Sequence, residues 1–193
     1  MPSGGAPQRM MSMKKMQIYL TGFMGTGKST VARCLNRAYG LEQIEMDEQI
    51  EKEEGMSISD IFRKKGEAYF RSLETGLVER ISRKENVVVS CGGGTVMNPR
   101  NVEEMKKNGR IVLLAAAPET VYERIHDAHN RPLLEGNMNV PYIRELMEAR
   151  RPRYEAAADI TVQTDGKSAR EICREIMERL DAAEWEEIDS RKK

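Results

Sequence analysis

Five short apolar runs punctuate the chain. They lie at 16–21 (Met-Gln-Ile-Tyr-Leu-Thr), around Ile44, at 87–90 (Val-Val-Val-Ser), at 111–114 (Ile-Val-Leu-Leu) and at 160–162 (Ile-Thr-Val). Between them, apolar residues recur at helical spacing. Val31, Ala32, Leu35 and Ala38 share one face, and Ala169, Ile172, Cys173, Ile176, Met177 and Leu180 share another. Helices are also predicted over 57–65, capped by Ser57 or Ser59, over 67–85, from Pro99 to Asn108, from Pro118 to about 127, and over 141–151. Continuous apolar strands alternating with helices predict a three-layer α/β/α domain around a central parallel sheet. The pattern breaks at 128–141, a polar stretch with Pro132, Gly136 and Pro141.

The ends lack this pattern. Residues 1–15 are expected to be a disordered extension without the apolar centre of a secretory signal. Any of Met10, Met11, Met13 and Met16 is an alternative start. Residues 181–193 are charged, with Trp185 the largest apolar side chain, and are expected to fray into a tail. Residues 16–180 then form one domain.

Composition narrows the function. Lys and Arg number 31, as do Asp and Glu, so net charge is zero and a broad nucleic-acid face is not expected. Aromatics at 5% do not supply base-stacking platforms. No apolar run is long enough to span a membrane. Three cysteines without a signal peptide fit a reducing, cytoplasmic setting. Cys34 and Cys173 fall on apolar helix faces, and Cys91 reads as a small residue at a strand end.

One motif carries most of the chemistry. Residues 22–29 read Gly22-Phe23-Met24-Gly25-Thr26-Gly27-Lys28-Ser29, the pattern G-x-x-x-x-G-K-[ST] between a strand and a helix. Gly25, Thr26 and Gly27 let backbone N–H groups turn inward around phosphate oxygens. Lys28 brings a charge to the outer phosphates, and Ser29 offers an oxygen to Mg²⁺. The helix beginning near Lys28, with Thr30 in its first turn, aims its positive end at the same anions. Binding of a nucleoside triphosphate follows.

In such sheets, ligands bind beyond the carboxyl ends of the strands. The strand at 87–90 ends in Ser90, not in the acid many phosphate-loop enzymes use for metal. Glu45 and Asp47 are the best-placed carboxylates. Two apart on a strand, they face the same side. One can serve the Mg²⁺ shell and the other can accept a hydroxyl proton. Gly92-Gly93-Gly94 lets a ligand approach backbone closely. Arg71, Arg124, Arg131 and Arg150 are candidate anion forks, although position alone does not single them out. His126 and His129 make a poor metal site.

Taken in order, these blocks resemble shikimate kinases over about residues 16–180. The resemblance rests on the phosphate loop through Thr30, on Asp47-Glu48-Gln49-Ile50-Glu51, on Gly55-Met56-Ser57-Ile58, Asp60-Ile61-Phe62, Gly66-Glu67 and Phe70-Arg71-Ser72-Leu73-Glu74, on the glycine triplet, on Arg131-Pro132-Leu133-Leu134, and on Arg150 with Tyr154. It implies a P-loop NTPase fold of the nucleoside monophosphate kinase-like type, with a substrate-binding region at about 47–75 and a lid at about 123–141. It implies phosphorylation of the 3-hydroxyl of shikimate by Mg²⁺-ATP in aromatic amino acid biosynthesis. By match, Asp47 holds that hydroxyl as base or orienter, and Arg71 and Arg150 bind the shikimate carboxylate. Gly93 and Gly94 present backbone to the ring. Lys28 and Arg131 stabilise the transferring phosphoryl group, Ser29 ligates Mg²⁺, and Arg124 packs near the adenine. The family usually has Asp where this chain has Glu45, which keeps the carboxylate with one more methylene and a water-mediated metal role.

Other readings share the phosphate loop: a kinase of another small hydroxy acid such as gluconate, a nucleoside monophosphate kinase, or a non-catalytic ATP-binding regulatory module. Arg71 and Arg150 together with the triple glycine favour shikimate. Intact Lys28, Ser29, Asp47 and Arg131 favour catalysis. A monomer is the default expectation.

Overall fold

The computed structural model describes residues 16–126 and 138–190. Five strands form one sheet: β1 (Gln17–Thr21), β2 (Glu42–Glu45), β3 (Val87–Ser90), β4 (Arg110–Ala115) and β5 (Ile160–Gln163). Their order is β2-β3-β1-β4-β5, and every pairing is parallel. The helices among the described residues are α1 (Lys28–Tyr39), α2 (Met46–Glu54), α3 (Ile58–Lys65), α4 (Glu67–Ile81), α5 (Pro99–Asn108), α6 (Pro118–Ile125), α7 (Val140–Ala157) and α8 (Ala169–Ser190). None of them is long and apolar enough to cross a membrane.

Strand side chains alternate between faces, and this alternation divides the core. Ile18 and Leu20, Val88, Val112 and Leu114 join α1 and α8 through Val31, Leu35, Ile172, Cys173 and Ile176. Tyr19, Val87, Val89, Ile111 and Leu113 face the other way. There they meet Ile50, Ile61, Phe70, Leu77, Met105 and Tyr154 of α2, α3, α4, α5 and α7. A third cluster joins Phe23 of the glycine loop to Val121, Ile125 and Ile143. The central strands β1, β3 and β4 are mostly apolar because both their faces are covered, whereas β2, at the sheet edge, buries Ile44 alone.

The structure moves several predicted boundaries. Asp47 is not on a strand: β2 ends at Glu45 and α2 begins at Met46, so Asp47 sits in the first helical turn. The same-face argument from strand periodicity therefore does not apply to Glu45 and Asp47. The two are instead brought together by the strand-to-helix corner, where Met46 and Ile50 bury the inner face of α2. α4 ends at Ile81, four residues before its expected end. α7 continues through Pro152 to Ala157 instead of stopping at 151. The missing proline N–H affects one carbonyl, that of Glu148 on an exposed turn, while Tyr154 and Ala157 hold the last turns in the core. α8 runs on to Ser190, past the predicted onset of fraying at 181.

Candidate active site

The loop between β1 and α1 is shaped by backbone. Gly22, Gly25 and Gly27 have φ of 138°, 77° and 95°, a region that side chains rarely enter. A Cβ on Gly25 would stand 2.7 Å from Ile125 Cγ2. Thr26 donates its hydroxyl to the Phe23 carbonyl at 2.8 Å and is itself buried. Lys28 donates to the carbonyls of Gly22 at 2.9 Å and Phe23 at 3.0 Å, so its ammonium lies over the loop where phosphates would enter. Ser29 and Thr30 open α1 on the exposed side. Arg124, on α6, donates to the Gly25 carbonyl at 3.1 Å and the Thr164 hydroxyl at 3.2 Å, at the far rim of the loop.

Beside the loop, Ser29 donates to Glu45 Oε2 at 2.8 Å, and Gln43 holds Glu45 Oε1 at 2.8 Å. Ser90, opposite Glu45 in the β2–β3 register, lies 3.4 Å from the Ser29 hydroxyl. The acid that β3 lacks is thus supplied by the adjoining strand. These are hard oxygen donors, the kind Mg²⁺ selects. Among the described residues, no cluster of three or more His, Cys, Asp or Glu forms a metal cage. A cation held by one or two side chains plus phosphate oxygens suits the donors present.

The glycine triplet lies against side chains from α2, α4 and α7. A Cβ on Gly92 would stand 2.9 Å from both Asp47 Oδ1 and Glu74 Oε1. On Gly93 it would meet the Tyr154 hydroxyl at 3.7 Å and Arg150 Nη1 at 3.8 Å. On Gly94 it would stand 2.9 Å from Arg71 Cζ. The 3₁₀ turn Thr95–Met97 follows and folds the triplet back under α4 and α7. Tyr154 fixes it further by donating to the Gly93 carbonyl at 2.6 Å.

Asp47 opens onto the cleft, yet protein crowds it on most sides. That crowding, and then the negative charge of Glu74, push its carboxyl above the usual aspartate range, while Lys28 pulls it down. Burial drives the Cys91 thiol far up, so this strand-end cysteine is a packing residue and not a nucleophile.

These contacts bring Asp47, Lys28, Ser29, Glu45, Arg71, Gly93, Gly94 and Arg150 around the phosphate loop and the glycine triplet, at the carboxyl ends of β1, β2 and β3, with Arg124 apart at the loop's far rim. Arg131, and most of the predicted lid, lie outside the described residues. Glu74 is the residue that sequence reasoning left unassigned. It is 1% exposed, accepts from Arg71 Nη1 at 2.6 Å, and accepts from Thr95 at 2.8 Å. Its signal was present: an acid within the apolar stripe Phe70, Leu77, Val78 and Ile81, three residues after an arginine.

Comparison with known proteins places this cleft in a family. The family model described as shikimate kinase matches residues 24–181. The shikimate kinase of Persephonella marina is 47% identical over 163 residues, covering 84% of this chain and 98% of that protein. The structure of the Acinetobacter baumannii shikimate kinase in complex with shikimate superimposes with a TM-score of 0.81 at 34% identity, covering 86% of this chain and 93% of that one. The Aquifex aeolicus shikimate kinase structure gives a TM-score of 0.75 at 42% identity, covering 87% and 98%.

Proposed function

The chain belongs to the shikimate kinase family, and we propose that its cleft transfers the γ-phosphoryl group of Mg²⁺-ATP to the 3-hydroxyl of shikimate. One observation carries the assignment of roles. A single glycine triplet adjoins Asp47, Arg150 and Arg71 in turn, within the cleft whose other wall is the phosphate loop. Two guanidinium groups and one carboxylate suit an acceptor with an acid at one end and a hydroxyl at the other.

In this reading, Arg71 and Arg150 take the shikimate carboxylate, and Gly93 and Gly94 lie along the ring. Asp47 receives a hydrogen bond from the attacking hydroxyl. Its raised proton affinity suits a group that orients that hydroxyl and accepts its proton as charge leaves the acceptor oxygen. Gly25, Thr26, Gly27 and Thr30 surround the phosphates. Lys28 and Arg131 stabilise the transferring group, and Arg124 sits against the nucleotide at the loop's far rim. Ser29, with Glu45 through water, would hold Mg²⁺, which neutralises phosphate charge when bound. Phosphoryl transfer needs such positioning more than covalent help. Residues 16–180 act as one domain in which a region at about 47–75 grips the acceptor and one at about 123–141 covers it.

The test is ADP release from Mg²⁺-ATP with shikimate, with gluconate, and with no acceptor. Turnover with shikimate alone is expected. Turnover with gluconate alone would overturn the acceptor pocket, and ATP binding without any turnover would overturn catalysis.

A further inference from the structure

Thr95 stands directly after the glycine triplet, fully buried and held from several sides. Its N–H donates to the Gly92 carbonyl at 3.1 Å, and its carbonyl accepts from the buried Asn101 amide at 2.9 Å. Its hydroxyl donates to Glu74 Oε1 at 2.8 Å. That oxygen faces the same point as Asp47 Oδ1, because both lie 2.9 Å from where a Gly92 Cβ would sit. The other oxygen, Oε2, holds Arg71 Nη1 at 2.6 Å. Glu74 therefore has one partner on each oxygen, and the charge of Asp47 bears on it from the Thr95 side. The outer face of Arg71 is held more loosely: Nε and Nη2 reach the exposed Glu67 at 3.2 Å and 3.0 Å.

A glutamate's terminal torsion is soft, so a carboxylate with one anchored oxygen turns within its pocket. With both oxygens anchored it has one orientation, and that orientation sets the plane of the guanidinium it grips. We propose that Thr95 is a positioning residue for the acceptor. Its hydroxyl fixes the rotation of the Glu74 carboxylate and, through it, the guanidinium plane with which Arg71 meets the shikimate carboxylate. This rests on the reading of Arg71 given above.

Removing the hydroxyl leaves Oε1 buried beside Asp47 without a donor. The carboxylate then turns away from that charge and carries Arg71 Nη1 with it. Thr95→Val keeps the shape and removes the hydroxyl; Thr95→Ser keeps the hydroxyl and removes a buried methyl. The readouts are shikimate affinity by calorimetry, KM for each substrate, and thermal stability, with Arg71→Ala alongside. Thr95→Val is expected to raise the shikimate Kd and KM roughly five- to twentyfold, with KM for ATP within about twofold. Thr95→Ser is expected to bind shikimate as the unaltered chain does, even though its lost methyl lowers stability. If affinity instead follows stability across the two variants, or does not move in Thr95→Val, the positioning role is overturned. If Arg71→Ala weakens binding while Thr95→Val does not, only the Thr95 inference fails. If Arg71→Ala leaves binding unchanged, the reading of Arg71 fails and the inference with it. Should Thr95→Val not fold, Thr95→Ala removes the same hydroxyl with less bulk and is read in the same way.

Discussion

Gly94→Ala offers a perturbation whose cause can be isolated. Gly94 has φ −103° and ψ −8°, a conformation open to any L-residue, so alanine adds no backbone strain. The nearest obstacle to the added methyl is the guanidinium of Arg71, with Cζ at 2.9 Å and Nη1 closer still. Ordinary contact needs about 3.4–4 Å, and Nη1 is the atom deepest inside that limit, so the guanidinium must retreat by roughly 1–1.5 Å. Its 2.6 Å bond to Glu74 is the interaction that stretches, and Glu74 is too buried to follow into water. A charge-assisted hydrogen bond contributes about 1.5–3 kcal/mol. The displaced Arg71 then meets the shikimate carboxylate out of line, and losing half to two-thirds of one such bond to the acceptor costs about 1–2 kcal/mol, or roughly 5- to 30-fold in shikimate KM. Stability should move little, because alanine's smaller unfolded-state entropy offsets part of the loss by about 0.4–1 kcal/mol. The assay is ADP release at varied shikimate and then at varied ATP, with a thermal melt. Combining the change with Arg71→Ala removes the collision partner, so the Gly94→Ala effect should vanish there. A shikimate KM within twofold of the unaltered chain would refute the reasoning, as would an equal rise in the ATP KM.

Two further outcomes follow from the electrostatics of the cleft. Asp47→Asn should lower kcat by roughly 10²- to 10⁴-fold without weakening ATP binding. It should also raise the melting temperature at pH 7. The folded chain holds the Asp47 pKa above its unfolded value of 3.8, so the stability that group contributes is present below that pH and is lost as pH rises through the folded value. Because Asp47 faces an open cleft, the gain should be small, about 1–2 °C, and a fall in melting temperature would contradict it. Glu45→Gln keeps an acceptor for Ser29 and removes the charge. Half-saturating Mg²⁺ in the ADP-release assay should rise by roughly tenfold, while Glu45→Asp should stay close to the unaltered chain. An unchanged Mg²⁺ requirement in the glutamine variant would take Glu45 out of the metal shell.

What the sequence revealed depended on how local the signal was. The phosphate loop was legible in full because strand, glycines and helix lie within about twenty residues, and each position has a backbone or charge requirement. β1, β3 and β4 were legible because burial on both faces leaves nearly continuous apolar runs, whereas β2 and β5, at the sheet edges, were marked only by Ile44 and by Ile160 and Val162. The corner at Asp47 was not. β2 has only four residues and α2 starts without a side-chain cap, so nothing local marks where strand becomes helix. Pro152 misled for a related reason: proline stops a helix by propensity, but here the helix beyond it is held by tertiary burial of Tyr154. Glu74 and Thr95 lie far enough apart in sequence that only the fold joins them. The convergence of Asp47, Glu74, Arg71, Arg150 and Tyr154 on the glycine triplet is likewise a property of assembled elements, invisible until α2, α4 and α7 come together.

The strand order has a consequence for how this enzyme loses function. β1, which carries the phosphate loop, is bonded to β3 on one side and β4 on the other, whereas β2, which delivers Glu45 and leads into Asp47, has β3 alone. Amide exchange should therefore be slowest at the phosphate loop's root and faster along the margin that leads to Asp47. A sequence drifting under mild destabilisation would loosen its hold on the acceptor while still closing around ATP. The same asymmetry makes the margin the place where acceptor preference can change without dismantling the nucleotide machinery.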